Sequence, residues 1–227
     1  RPLGQHASNL GGILAYRVAE SLEIPAYVYD GVTVNELEPL AYLTGLQNII
    51  RLSRCHALNM RAMAIRAARE AGSSYGKINQ IVVHMGGGIT LSAHREGKMV
   101  DVVLDSEGPF SPERSGRVPV TPLLRYAVAE GLGADELIRR TRGKGGLVSL
   151  LGTNDAREVE RRIDNGDKMA LLVYQTMAYQ TAKAIGELAT VLKGKVDQII
   201  FTGAMAYSAR FTGWIRNRVE FLAQIVL

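Results

Sequence analysis

The segment from Asn79 to Leu104 constrains this chain most. Its hydrophobic pattern reads as three successive strands, Gln80–His84, Ile89–His94 and Lys98–Leu104, with Glu96-Gly97 as a tight turn between the last two. The result is an antiparallel meander. Between the first two strands stands Gly86-Gly87-Gly88. Missing side chains there let backbone N–H groups approach a polyphosphate, and Thr90 adds a hydroxyl nearby. Taken alone, the same run is an ordinary glycine-rich hairpin. It is neither the Rossmann fingerprint nor a Walker A loop. Lys144 in Gly143-Lys144-Gly145-Gly146 does not restore a Walker reading, because the earlier glycine and the following hydroxyl are absent.

Helical patterns surround the meander. Asn9 caps a helix with Leu10, Ile13, Leu14, Val18 and Leu22 at helical spacing, and Ile24–Tyr29 then reads as a buried strand ended by Gly31. A short helix from Glu36 to Thr44 and an alanine-rich one from Ala57 to Ala71, closed by Gly72, come next. Thr121-Pro122 starts a helix, Ala134–Thr141 is another, and glycine-rich loops lie between and after them. Asp155 opens a charged helix to about Asn165, and Asp167 a long one to Lys193. Val196–Phe201 is a strand, and Phe211, Ile215 and Val219 mark a last helix. This order is that of an α/β, ribonuclease-H-like lobe, a mixed sheet flanked by helices.

At 227 residues and 47% hydrophobic content, the chain can build one substantial core, or one full domain carrying part of a second. The net charge of +5 does not point to nucleic acid. Arg51, Arg54, Arg61, Arg66 and Arg69 spread around a helix with no interleaved aromatics, and an anionic nucleotide accounts for a mild positive excess equally well. No apolar run is long enough to cross a bilayer and no signal-peptide pattern opens the chain, so a cytoplasmic protein without membrane attachment is expected. The lone Cys55 excludes an internal disulfide, and the four scattered histidines have no metal-ligand spacing. The first residue is not Met, and Ile225-Val226-Leu227 reads as the opening of a strand with no partner or turn after it. An internal piece of a longer protein is therefore expected.

Three further clusters carry chemistry. Glu107-Gly108-Pro109-Phe110-Ser111-Pro112-Glu113-Arg114-Ser115-Gly116 is a stiff loop presenting Arg114, whose planar fork suits carboxylate or phosphate oxygens as well as it suits a surface salt bridge. Gly152-Thr153-Asn154-Asp155-Ala156-Arg157-Glu158 puts a helix N-terminus toward a nucleotide, or simply caps it at Asp155. Ile200-Phe201-Thr202-Gly203-Ala204-Met205-Ala206-Tyr207-Ser208 ends a strand in small residues against which a flat base can lie.

With His6-Ala7-Ser8-Asn9-Leu10-Gly11 and His56-Ala57-Leu58-Asn59, these segments in this order resemble the butyrate kinase branch of the acetate kinase family, over essentially the whole chain. The resemblance implies a two-lobed fold of the sugar kinase, Hsp70 and actin superfamily, with residues 1–34 ending the N-terminal lobe and 35–227 forming most of the C-terminal one. It implies MgATP-dependent phosphorylation of a short-chain carboxylate such as butyrate to an acyl phosphate, and the reverse with ADP. By that matching, His84 and Arg114 are catalytic, and His56, Glu107 and Arg114 line the substrate side. Gly86, Gly87, Gly88 and Thr90 bind phosphate. Asp155, Ala156, Arg157, Gly203, Ala204 and Met205 bind the nucleoside, and Asp30 lies near the catalytic Mg²⁺. A homodimer or higher oligomer is implied, with the long helix from Asp167 at its centre or in the core beside it. Ala204 stands where the family usually has glycine. The family's first phosphate loop would precede residue 1, and an acidic segment would follow Leu227. The alternatives are an acetate or propionate kinase, a related sugar kinase, and a non-catalytic nucleotide-binding or assembly fragment.

Overall fold

The computed structural model describes residues 10–31 and 34–227. The expected capping residue Asn9, with His6, lies outside them. Five strands, β1 (Gln80–Met85), β2 (Ile89–Arg95), β3 (Lys98–Val103), β4 (Gln198–Thr202) and β5 (Gln224–Val226), form one sheet in the order β3-β2-β1-β4-β5. The β3-β2-β1 part is the antiparallel meander, and its Glu96-Gly97 turn has both φ angles positive (53° and 76°), the handedness that matches strand twist. β1 pairs with β4, and β4 with β5, in parallel. The terminal apolar residues expected to lack a partner therefore have one in β4. A helical crossover from the end of β4 brings them alongside it.

The helices are α1 (Leu10–Ser21), α2 (Ala57–Glu70), α3 (Val120–Ala129), α4 (Ala134–Thr141), α5 (Gly146–Leu151), α6 (Ala156–Asp164), α7 (Lys168–Val191) and α8 (Ala209–Val219). Strand alternation divides the core. Ile81, Val83, Met85, Leu91, Ile199 and Phe201 face α7 and α8, which bring Tyr174, Met177, Ile185, Phe211 and Ile215. Val82, Met99, Val102 and Ile200 face α2, whose Met60, Ala64 and Ala67 pack closely because they are short or flexible. A register shift at Ala93/His94 leaves Val100 as an extra residue, which is why Met99 and Val102, three apart, share a face. α2 ends in a Schellman arrangement, with Gly72 at φ 69° and the Ser73 N–H donating to Ala68 O, as its glycine signal predicts. α7, the long helix expected from Asp167, lies in the core and is capped by the Asp167 carboxylate accepting from Ala170 N at 2.9 Å.

Several expectations need correction. Residues 24–29 are not a buried strand. They form no ladder among the described residues, and Ile24, Tyr27, Val28 and Tyr29 are exposed, as are Leu10, Ile13, Leu14 and Val18 of α1 and Leu22 just after it. Their pattern records an apolar face that this part of the chain leaves open. The helix expected over Glu36–Thr44 is a 3-10 turn at Pro39–Ala41, because Glu38, the residue before Pro39, is extended (φ −67°, ψ 155°) with its N–H on Val100 O of β3. α3 begins at Val120, and Thr121 makes no capping bond. α5 occupies a stretch read as loop, and β4 starts two residues later than expected.

Candidate active site

Residue pairing in the sheet assembles the site. His84 is the parallel partner of Thr202, so the glycine turn leaving β1 and the Gly203 turn leaving β4 emerge side by side, at the strand ends where open α/β sheets bind ligands. Gly203 is required there: at φ 87°, a Cβ would lie 2.5 Å from Met85 O. Gly86 N–H donates to Gly88 O, closing the turn, so one of the N–H groups expected to meet phosphate is already engaged. A Cβ on Gly86, Gly87 or Gly88 would project toward the His84 imidazole, the Glu113 carboxylate or the His56 imidazole. The space between these groups exists because the turn has no side chains.

His56 and His84 stack with ring centroids 3.8 Å apart and planes 13° apart. α2 supplies this geometry: His56 precedes its first residue, and Asn59 lies in its first turn. His84 Nδ1–H donates to Asn59 Oδ1 at 2.8 Å, which leaves the Nε2 lone pair on the Gly86 side. Nδ1 of His56 is 2.8 Å from Thr90 Oγ1. Burial, reinforced by its imidazole neighbour, pushes the His84 pKa down to about 4. Burial likewise lowers that of His56, opposed by the Asp105 anion and aided by the Arg114 cation. Both rings are neutral at pH 7 in the free protein.

The 107–116 loop is strapped to the glycine turn. Ser111 Oγ donates to Gly87 O at 2.8 Å and Glu113 N–H to the same oxygen at 3.1 Å. Arg114 Nε lies 3.4 Å from Asp105 Oδ2, and its Nη1 is 3.8 Å from Glu113 Oε2. Glu113 in turn accepts from Asn154 Nδ2 at 2.8 Å, one residue before Asp155. α6 is joined to the 203–208 turn by Ser208 Oγ donating to Glu160 Oε1 (2.5 Å) and to the start of α8 by the Arg210–Asp164 ion pair. The structure thus brings together His56, His84, Gly86–Gly88, Thr90 and Arg114, with Gly203 and Asp155 on the adjoining side.

Other expected residues have different surroundings. Asp155 caps α6 and pairs with Arg157, whose guanidinium hydrogen bonds hold the carboxyl pKa down at about 2. Ala156 is half-buried against the core, and Met205 is buried within it, whereas Ala204 is exposed. Met205 can therefore offer a nucleotide its backbone but not its side chain. Both oxygens of Glu107 are held by Arg51, at 3.1 and 3.0 Å, in a clamp that also ties Asp101. Asp30, at φ 41°, accepts from Arg61 Nε at 2.8 Å, and Glu36 takes the same guanidinium. One oxygen of Asp30 is thus already engaged by a guanidinium. Among the described residues no three His, Cys, Asp or Glu side chains are grouped to hold a metal ion.

Sequence reasoning missed Asp105, Asn59, Glu113 and Asn154 as neighbours of the chemistry. Asp105 and Glu113 carried a signal, as acidic residues just before and within the stiff loop. Asn59 had only its place three residues after His56.

A family model described as the Acetokinase family matches residues 36–222. Among solved structures, the chain is similar to the acetate kinase of Porphyromonas gingivalis, at 28% identity and a TM-score of 0.83 over 94% of this chain and 56% of that one. It is similar to a propionate kinase from Francisella tularensis subsp. tularensis SCHU S4, at 22% identity and a TM-score of 0.79 over 92% of this chain and 57% of that one. For the acetate kinase of Entamoeba histolytica the values are 19% and 0.73, over 82% of this chain and 51% of that one. The last two bear on the fold alone, and the mixed sheet flanked by helices is the fold of all three. The chain spans 51% to 57% of the length of these solved relatives.

Proposed function

This chain belongs to the acetokinase family, and we propose that the protein it contributes to transfers a phosphoryl group between MgATP and a short-chain carboxylate, with butyrate or a similar acid as acceptor. The observation that carries this reading is the convergence of the stacked His56 and His84 rings, the Gly86–Gly88 turn and Arg114 at the ends of β1 and β4. A carboxylic acid with a pKa of about 4 to 5 is ionised at neutral pH, so its attack on the γ-phosphate needs no strong base. The barrier is electrostatic, because an anion must approach a polyanion.

Arg114 meets that difficulty with a fixed cation and a planar set of donors. His84 begins neutral, with Nε2 as an acceptor. An entering phosphate favours the protonated ring, so Nε2 gains a proton on nucleotide binding and then donates to a phosphoryl oxygen. His56 stacks against that ring and keeps it in place. The 203–208 turn and the start of α6 are the proposed nucleoside side, with Ala204 and the backbone of Gly203 and Met205 as its floor. Butyrate as acceptor rests on the sequence resemblance, and acetate or propionate is the competing acid. A second copy of the protein is the proposed partner, with the exposed α7 positions Met169, Leu172 and Tyr179 as apolar contact. Sedimentation of the complete protein as a monomer at micromolar concentration overturns that part.

The test of the activity is acyl phosphate formation by the complete protein, trapped with hydroxylamine, with MgATP and acetate, propionate, butyrate and isobutyrate. The highest kcat/KM is expected for a four-carbon acid. Nucleotide binding without acyl hydroxamate from any acid would leave the non-catalytic reading standing instead.

A further inference from the structure

The segment Arg142-Gly143-Lys144-Gly145-Gly146 has no part in the site as described so far, yet it wraps the backbone of Arg114. Arg114 and Arg142 form an isolated antiparallel bridge, Ser115 N–H donates to Thr141 O at 2.9 Å, and Gly143 N–H donates to Glu113 O at 2.8 Å. The approach is too close for side chains. A Cβ on Gly145 would lie 2.5 Å from Ser115 N, and one on Gly146, at φ 63°, would lie 1.7 Å from Ser111 O. Glycine at these two positions lets one loop serve as a collar for the other.

The side chains continue the contact. Arg142 Nη2 donates to Asp105 Oδ1 at 2.7 Å, while Asp105 Oδ2 faces Arg114 Nε at 3.4 Å. Asp105 is the most buried of the three, at 16% side-chain exposure against 30% for Arg114 and 48% for Arg142. A guanidinium held through Nε presents its Nη groups as the fork that meets a planar anion, and here Nη1 also faces Glu113 Oε2 at 3.8 Å. A carboxylate already anchored by a second guanidinium cannot follow the first one toward a ligand. We infer that Asp105 and Arg142 are positioning residues that set the direction of the Arg114 guanidinium, with residues 143–146 as the backbone collar. The inference rests on the carboxylate kinase reading for its kinetic consequence, but not for its geometry.

Charge separates this role from simple packing. Asp105→Asn removes a fixed anion beside the acceptor side, so KM for the carboxylate falls while kcat drops about 10- to 100-fold as Arg114 loses its orientation. Arg142→Ala leaves Asp105 undercompensated, so kcat falls and KM rises. Arg142→Lys, which retains the charge, restores KM and part of kcat. In the double variant the losses fall short of additive, because both act through Arg114.

The experiment is steady-state kinetics of these variants in the complete protein, with thermal melting as a folding control. Alongside it, the Arg Nε–H resonances are recorded by ¹⁵N NMR, with Arg114→Lys assigning the Arg114 signal. The expected result is opposite KM shifts in the two single variants and displacement of the Arg114 Nε–H signal in both. Variants that stay folded, keep kcat within about twofold of wild type and leave that resonance unmoved would reduce these contacts to surface ion pairs and overturn the inference. If wild-type protein makes no acyl phosphate from any acid, the functional reading fails instead, and the Arg114 resonance still decides the geometry.

Discussion

Among single side chains, Arg114 carries the sharpest kinetic expectation. Its donors act on charge that develops in the transition state, so Arg114→Ala lowers kcat and kcat/KM together by about 100- to 1,000-fold, while nucleotide affinity measured by calorimetry changes little. Lysine recovers only part, since an ammonium lacks the fork. Near-normal kcat with lost nucleotide affinity would make Arg114 a nucleotide anchor instead. Gly203 is constrained by space as well as by chemistry. A Cβ there meets Met85 O at 2.5 Å with φ at 87°, so Gly203→Ala is expected to cost at least about 1–3 kcal/mol in chemical denaturation. An unchanged midpoint would mean that the two strand ends can separate freely.

At the level of elements, α7 depends on its N-terminal cap. The Asp167 carboxylate accepts from Ala170 N at 2.9 Å and from Arg162 at 2.7 Å, joining α6 to α7 at their shared turn. Asp167→Ala should therefore lower stability by about 0.5–2 kcal/mol, read as a shift in denaturation midpoint. The chemistry should survive, because the Asp167 cap lies at the opposite end of α6 from Asp155, and the α7 residue that meets the Arg114 loop, Gln180 accepting from Phe110 N at 3.1 Å, stands several turns farther along. Loss of activity with no loss of stability would contradict that division. α2 is the opposite case. Its N-terminal end holds His56 and Asn59, so damage to that end misplaces both imidazoles.

For the molecule as a whole, the α2 side of the sheet buries a polar chain that titrates. His94 is fully buried, with Nδ1 2.7 Å from the Tyr75 hydroxyl and Nε2 2.7 Å from Ser92 Oγ. Burial, with the Arg61 charge acting in the same direction, pushes its pKa down to about 3, while burial raises that of Tyr75 to about 12. A histidine at about 6.5 unfolded and about 3 folded binds its proton more readily in the unfolded chain. Its contribution is therefore complete above pH 6.5 and is lost progressively as pH falls toward 3. His84 adds to the same loss down to about 4. Thermal melting from pH 7 to pH 4 should fall steeply in the wild type and less steeply in His94→Gln. Identical slopes would place the acid sensitivity elsewhere.

Local pattern determined the meander, the Glu96-Gly97 turn, the Gly72 stop of α2 and the Asp155 and Asp167 caps, because each is decided by residues within a few positions of one another. The glycine turn and the Arg114 loop were also legible as segments, and the resemblance singled out His56, which the structure stacks on His84. Tertiary structure decided what depends on distant partners. Only the β1–β4 register puts Gly203 beside Met85, and only the β4–β5 pairing gives the terminal apolar residues a partner. Residues 24–29 look like a strand because their side chains are apolar, but a strand is completed by a neighbour's hydrogen bonds, and none is made to them among the described residues. Asp30 and Glu107 were read by their charge, yet Arg61 and Arg51, 31 and 56 positions away, determine what their carboxylates meet. Asp105 and Arg142 stand 37 residues apart, and the glycine-lined approach of two loops makes them neighbours of Arg114. Such pairings depend on how the backbone folds back on itself, a long-range property that local spacing does not encode.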